Sequence, residues 1–370
     1  MSLLGIAFIF SFLIQLYFQS KYFIPFIFHK SDHDFNKSSK KPVSVIICAH
    51  NELKNLKTNL ISFLNQHYED YEVILVNDRS KDGTKEWLNK VQLQNRKLKV
   101  IDIDKVPNHY NPKKYAITIG VKEANNEILL LSDADCKPSS SNWIDRMSSL
   151  FTNKIDIVLG VSLYHKGSGF LSQFINFETL QTALLYLSFA YKNSPYMGVG
   201  RNIGYRKSFF LKTNGFDGFQ EIMGGDDDLW VNKNANKDNT EICISPDAIT
   251  FSTPKSNWKE YLNQKKRHLS VGKYYKNKDK FKLGLFHFSQ TLIWILLIFS
   301  LILGSRTEFL ILSLTFLLRL IGQYVVFYKL SINFGILFRH YFLPITEFFF
   351  VGFYWIWGVY ASLTKHHKWK

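Results

Sequence analysis

Val43–Ala49 is an unbroken run of β-branched and small apolar residues, with one serine, that empties into His50-Asn51-Glu52, the pattern of a buried strand feeding a polar loop. Leu53, Leu56, Leu60 and Leu64 then recur at helical spacing, with Asn51 available as a cap. Tyr71–Val76 predicts a second strand carrying Asn77-Asp78 at its carboxyl end, Leu98–Ile103 a third, Lys113–Ala124 a helix and Ile128–Leu131 a fourth strand. Strands alternating with helices predict an α/β fold, with a mostly parallel sheet covered by helices on both faces. Parallel strands present their carboxyl ends on one edge, so Asn77-Asp78 and Asp133-Ala134-Asp135 are expected to open together.

The pattern changes outside this region. Leu3–Phe18 is uncharged and strongly apolar, and Tyr22–Phe28 extends it past Lys21. Near the other end, Leu283–Gly304, Phe309–Tyr328 and Tyr341–Leu363 each approach or exceed the ~20 residues that cross a bilayer. These read as N- and C-terminal transmembrane helices. A secretory signal is the competing reading of the first segment, set aside because no basic stretch precedes it and no small-residue cleavage site follows. The domains expected are a membrane helix over 1–30, a polar linker over 31–41, a soluble domain over 42–272 and a basic segment with about three further helices over 273–370.

Arg319 interrupts one apolar segment, and a charge near mid-bilayer costs roughly 3 kcal/mol on insertion scales, so it is expected to face other helices or to snorkel. Lys329, Arg339 and His340 make the last connection basic, which places it and the soluble domain on the cytoplasmic side of the cytoplasmic membrane. One span before the domain and three after it put the C-terminus outside. The basic tail Lys365–Lys370 contradicts this on charge, and an exceptional tail and a re-entrant segment are both open.

The net charge of +16 invites a nucleic-acid reading. No recognition motif accompanies it, and the lysines cluster at the membrane flanks, where anionic lipid is the expected partner. Trp294, Trp355, Trp357 and Trp369 sit in or at the ends of the apolar segments, as interfacial belts require. The three cysteines, Cys48, Cys136 and Cys243, match no zinc or redox spacing and read as reduced structural thiols, with Cys136 close enough to the aspartates to be open to thiol reagents. Phe170–Tyr191 reads either as core or as an amphipathic helix against the membrane. No internal repeat is present.

The candidate chemistry is acidic. Asp133 and Asp135, one residue apart at a strand end, suit a hard divalent cation held together with substrate phosphates, although a three-residue pattern can equally be a solvated turn. Asp226-Asp227-Asp228 can supply a catalytic base or an acidic helix N-terminus. Gly224-Gly225 before it argues for a close backbone approach.

Ala49-His50-Asn51-Glu52, Val76 through Thr84, Lys113-Lys114-Tyr115-Ala116, Asp133-Ala134-Asp135, Gly200-Arg201-Asn202, Gly225 through Trp230 and Gln264 through His268 follow one another in an order that resembles a family 2 glycosyltransferase with the GT-A (Rossmann-like) fold, from about Lys41 to Gly272. The resemblance implies an inverting transfer of a sugar from a nucleotide diphosphate, commonly uridine diphosphate, to a lipid, lipid-linked or glycan acceptor. It implies that Ala49, Asn51 and Glu52 line the nucleoside pocket, Asp78 bonds the base, and Lys113 or Lys114 approaches the nucleotide. Asp133 is implied to contact ribose or metal, Asp135 to hold Mg²⁺ or Mn²⁺, and Asn202 to bond the donor sugar. Asp226, Asp227 or Asp228 would be the base: counting back from Leu229 favours Asp226, counting forward from Gly225 favours Asp227.

Gln264 and Arg267 are implied to meet the diphosphate, with His268 where the family has Trp. The same stretch also reads as a basic membrane-proximal helix. A processive polysaccharide synthase and a non-catalytic scaffold are the rival functions. The retained carboxylates weigh against the scaffold.

Overall fold

A computed structural model describes residues 2–29, 41–336 and 338–363. Nearly all of the expected linker and the whole basic tail lie outside the described residues. The chain divides into two compact units, a sheet unit over 41–165 and 189–254 and a helical unit over 2–29, 166–188 and 255–363. Residues 166–188 and 255–272, expected in the soluble domain, cluster with the apolar helices instead.

The sheet unit carries β1 (Val43–Ala49), β2 (Tyr71–Asp78), β3 (Leu98–Ile103), β4 (Ile128–Asp133), β5 (Cys136–Pro138), β6 (Ile157–Leu159), β7 (Ser162–Tyr164), β8 (Ile203–Arg206), β9 (Thr240–Ile242) and β10 (Thr250–Ser252). The main sheet runs β3-β2-β1-β4-β8-β6-β9, and β5-β10-β7 form a smaller one. β1 to β4 are mutually parallel, whereas β8 is antiparallel to both neighbours. The register sets Ala49 beside Asn77 and Cys48 beside Asp133, so the acidic strand ends do share one edge.

Alternating side chains of β1 and β2 feed two cores. Val43, Val45, Ile47, Val73 and Leu75 pack with Leu56, Leu60 and Phe63 of the Leu53–Leu64 helix and with Trp143 and Met147. On the other face the Pro112–Glu123 helix lies so close that a side chain at Gly120 would meet Ile46 at 2.7 Å. Burying each such Val, Leu or Ile contributes roughly 1.5–3 kcal/mol, which makes this sheet a rigid platform for its edge.

Among the described residues of the helical unit, four helices are long and apolar enough to cross a membrane: Leu3–Ile27, Asn277–Leu303, Arg306–Asn333 and His340–Ala361. The first runs past Lys21 through a π-helical turn over Gln19–Phe23. Arg319 faces the other helices. Its guanidinium donates to both Glu347 carboxylate oxygens and, at 3.3 Å, to Gln15, while Gln290 and Gln323 donate to Glu347 at 2.6 and 3.1 Å. One buried ion pair thereby ties all four helices.

Of the two readings open for Phe170–Tyr191, packing prevails within this unit. The Gly169–Tyr191 helix is buried around its circumference, with Phe177 stacked on Phe327 at 5.3 Å and Phe174 edge-on to Phe353 at 5.3 Å.

Candidate active site

The turn after β4 and the loop before the Asp228–Asn234 helix meet on the Pro112–Glu123 helix. Asn111 caps that helix by accepting from the backbone N–H groups of Lys113 and Lys114, which fixes the first turn and sends the two lysines apart. The Lys113 ammonium lies 3.1 Å from Asp133 and 2.9 Å from Asp226, so one cation joins two carboxylates from distant parts of the chain. Burial alone would lower the Lys113 pKa, but Asp133, Asp226 and Asp227 outweigh it and hold it well above the ordinary range. Burial likewise works to raise the Asp226 pKa, and the Lys113 ammonium overrides this and leaves it lowered.

Lys114 is fully buried and turns the other way. Its ammonium donates to the carbonyls of Phe219 and Ile222 at 2.7 Å, anchoring the loop that leads to Gly224-Gly225. Burial depresses its pKa to about 8. Of the two candidate lysines the structure brings only Lys113 to the carboxylates.

The three adjacent aspartates have three different environments. Asp227 is the N-cap of the Asp228–Asn234 helix: its Oδ1 accepts from the Asp228 N–H at 2.8 Å, and its Oδ2 accepts from the Gly200 N–H. Burial, then the neighbouring Asp226 charge, raise its pKa. Asp228 points its carboxylate back to the Leu229 N–H at 2.8 Å. Asp226 is left facing the cavity of about 10 Å³, room for roughly one water, that Lys113, Asp133, Gly200, Tyr205 and Asp227 also line. Two glycines permit this. Gly225 has φ of 75°, and a side chain there would meet Leu229 at 2.5 Å; a side chain at Gly200 would crowd the Asp227 carboxylate at 3.2 Å.

The nucleoside-side residues sit on the same edge. Asp78 is fully buried, and Arg79, with φ of 51°, grips its carboxylate at 2.7 and 3.2 Å. Ala49 ends β1, buried. Asn51 does not cap the following helix as the spacing suggested. It takes a left-handed conformation, and its side chain accepts from the Lys81 N–H at 2.7 Å. Glu52 occupies the cap position without capping a backbone N–H and accepts instead from the Asn55 side chain, while Asp82 reaches across to accept from the Leu53 N–H at 3.0 Å and, with its other oxygen, from Thr84. One residue thus terminates two helices.

Asn202, expected to bond the donor sugar, has its amide bonded to the surrounding framework. Its amide is fully buried, donates to the carbonyls of Val161 and Ala248 at 2.7 Å and accepts from the Trp143 indole at 3.0 Å, so it is a framework residue. Its neighbour Arg201 is the residue that sequence reasoning missed. The guanidinium stacks on Tyr164 at 4.5 Å, has its Nη1 buried without a hydrogen-bond partner among the described residues, and holds its proton tightly because the Tyr164, Cys136, Asp135 and Asp133 side chains together outweigh its burial. The Gly-Arg-Asn string carried that signal, but the asparagine drew the role. Asp135 accepts from Ser252 at 3.1 Å and from the Cys136 thiol at 3.3 Å. Cys136 is fully buried and its thiol pKa is pushed well up by burial, so the expected reactivity toward thiol reagents is withdrawn.

Gln264 and Arg267 lie on the Trp258–Val271 helix of the helical unit. There Lys265 is buried in an ion pair with Glu178, and Lys266 stands over the Tyr360 ring at 4.6 Å, so these two cations serve packing.

Comparison with known proteins fits this geometry. Residues 44–212 match the family model described as Glycosyl transferase family 2, and residues 133–359 match Glycosyl transferase family group 2. The chain is 27% identical over 237 residues to the probable glycosyltransferase YdaM of Bacillus subtilis, covering 63% of this chain and 55% of that one. It is 31% identical over 121 residues to the glycosyltransferase AglE of Haloferax volcanii, covering 32% of this chain and 38% of AglE. The chain therefore spans about half or less of the length of these relatives. In structure it resembles the mannosyltransferase PcManGT from Pyrobaculum calidifontis, solved with GDP-Man and Mn2+, at a TM-score of 0.60 and 16% identity, over 90% of this chain and 98% of that one, a likeness of fold. With the second family model covering more than half its length, the chain belongs to the family 2 glycosyltransferases.

Proposed function

We propose that the protein transfers a sugar, with inversion, from a nucleotide diphosphate to a lipid, lipid-linked or glycan acceptor at the cytoplasmic face of a membrane. The observation that carries this reading is the Asp133–Lys113–Asp226 bridge on the sheet edge that also holds Asp78. Asp226 is the base in this account. Asp227 has both oxygens bonded to backbone N–H groups, whereas Asp226 faces the cavity and is kept ionised by Lys113, ready to accept the proton of an acceptor hydroxyl. Asp227 holds the loop, and Arg201, its guanidinium held over Tyr164, supplies a fixed positive charge for the departing diphosphate.

Asp133 and Asp135 fit a divalent cation by donor chemistry, being hard carboxylate oxygens at a strand end. Among the described residues no group of three or more His, Cys, Asp or Glu side chains gathers there, so phosphate oxygens of the donor would complete the shell. Mg²⁺ or Mn²⁺ bound so would offset the charge developing on the leaving diphosphate. Uridine diphosphate is the preferred nucleotide, with Asp78, Ala49, Asn51 and Glu52 toward the nucleoside. The purified full chain in detergent, screened against UDP- and GDP-sugars for released nucleoside diphosphate, should turn over at least one donor and lose that turnover in EDTA. Neither turnover nor donor binding across the panel would contradict the reading.

A further inference from the structure

The helical unit contains a cavity of its own, of about 380 Å³, lined by Lys166, Tyr324, Phe338, Arg339, His340 and Tyr341. This volume is within the range of small-molecule sites. It lies where the Arg306–Asn333 helix gives way to the His340–Ala361 span, at the end of two helices long enough to cross a bilayer.

The lining divides by chemistry. Lys166 and Arg339 are exposed and, among the described residues, have no carboxylate partner. His340 is wedged between rings, 5.4 Å from Tyr324, 5.5 Å from Tyr328 and 5.1 Å from Phe338, and its Nδ1 is shielded from solvent without a hydrogen-bond partner among the described residues. That ring nitrogen is a hydrogen-bonding group which the described residues leave open. The helix that starts at Leu343 adds the positive end of its dipole to the same side. Two exposed cations beside a cluster of aromatic rings suit a ligand that is anionic at one end and apolar at the other.

We propose that this cavity binds the phosphate headgroup of an anionic membrane lipid, with Lys166 and Arg339 on the phosphate oxygens and Tyr324, Phe338 and Tyr341 beside the glycerol and upper acyl chain. The inference rests on the long apolar helices crossing a bilayer and is independent of the transfer chemistry.

The test uses the full chain in phosphatidylcholine nanodiscs doped with phosphatidic acid, with lipid retained on the protein read by native mass spectrometry. Co-elution with the discs comes first, and its failure would overturn the membrane reading and the inference with it. The wild type should retain phosphatidic acid about tenfold or more over the Lys166→Gln/Arg339→Gln variant, the loss expected for charge-assisted contacts. Both side chains are exposed, so the variant should keep its melting temperature, and Lys329→Gln, outside the cavity, should retain the lipid as wild type does. Equal retention by wild type and double variant would overturn the proposal. In discs of phosphatidylcholine alone, inorganic phosphate should not raise the melting temperature. A saturable rise lost in the double variant would make the free anion the ligand and overturn the lipid assignment.

Discussion

The ammonium of Lys113 stands 2.9 Å from the carboxylate of Asp226, and the pair is half-buried on the carboxyl edge of the sheet. Its consequence is electrostatic: Lys113 is what keeps Asp226 ionised against burial. Lys113→Gln should therefore raise the Asp226 pKa and move the acid limb of kcat/KM to higher pH, while leaving Asp226 without its counter-charge should lower the stability of the sheet unit. The pH–rate profile and a denaturation curve read the two effects separately. An acid limb that stays in place would separate Lys113 from the base.

Arg201 is expected to act on the donor. Arg201→Ala should weaken nucleotide-sugar binding by about tenfold or more, the loss of a charge-assisted contact to phosphate, with Arg201→Lys failing to restore it because an ammonium cannot reproduce the planar stack on Tyr164. Calorimetric titration with the donor reads this directly. Wild-type affinity in Arg201→Ala would remove the residue from the site.

Lys114 makes stability depend on alkaline pH. Its folded pKa of about 8 lies below the ordinary 10.5, so between these values the unfolded chain binds the proton that the folded chain has lost. Stability contributed by this residue should rise with pH across that window, by at most about 1.4 kcal/mol per unit, and be flat below it. Lys113 has its pKa above 10.5 and so contributes no slope there. Comparing wild type with Lys114→Met from pH 8 to 10.5 should show a stability that climbs more steeply with pH in wild type than in the variant.

In the helical unit, Glu347→Ala leaves the Arg319 guanidinium buried without its counter-charge. Detergent-solubilised protein should lose several degrees of melting temperature, and the double change with Arg319→Met should recover much of it, because removing both partners is far less harmful than removing one. A double variant no better than the single would show that the network, not the isolated charge, sets the loss.

Residues whose role follows from periodicity were legible in the sequence. The strand over Val43–Ala49 and that over Leu98–Ile103 have the predicted bounds, and the common edge of Asp78 and Asp133 follows from parallel pairing. Residues whose role depends on long-range bonding were not. Asn51 has the chemistry of a cap, yet Asp82, 29 residues from the Leu53 it caps, does the capping. Asn202 and Arg201 are adjacent, and only the three-dimensional path decides which is consumed by the framework. Glu347 hid inside an apolar span because its partner, Arg319, lies 28 residues away on another helix.

The central claim is that Asp226 is the base and Asp227 its support. The most direct measurement is kcat for Asp226→Asn alongside calorimetric donor binding by the same protein. A loss of 10² or so or more in kcat with donor affinity nearly unchanged is the expected result, since general-base catalysis contributes about that much. Turnover at the wild-type rate in Asp226→Asn, with Asp227→Asn folded but inactive, would contradict the account and move the base to Asp227.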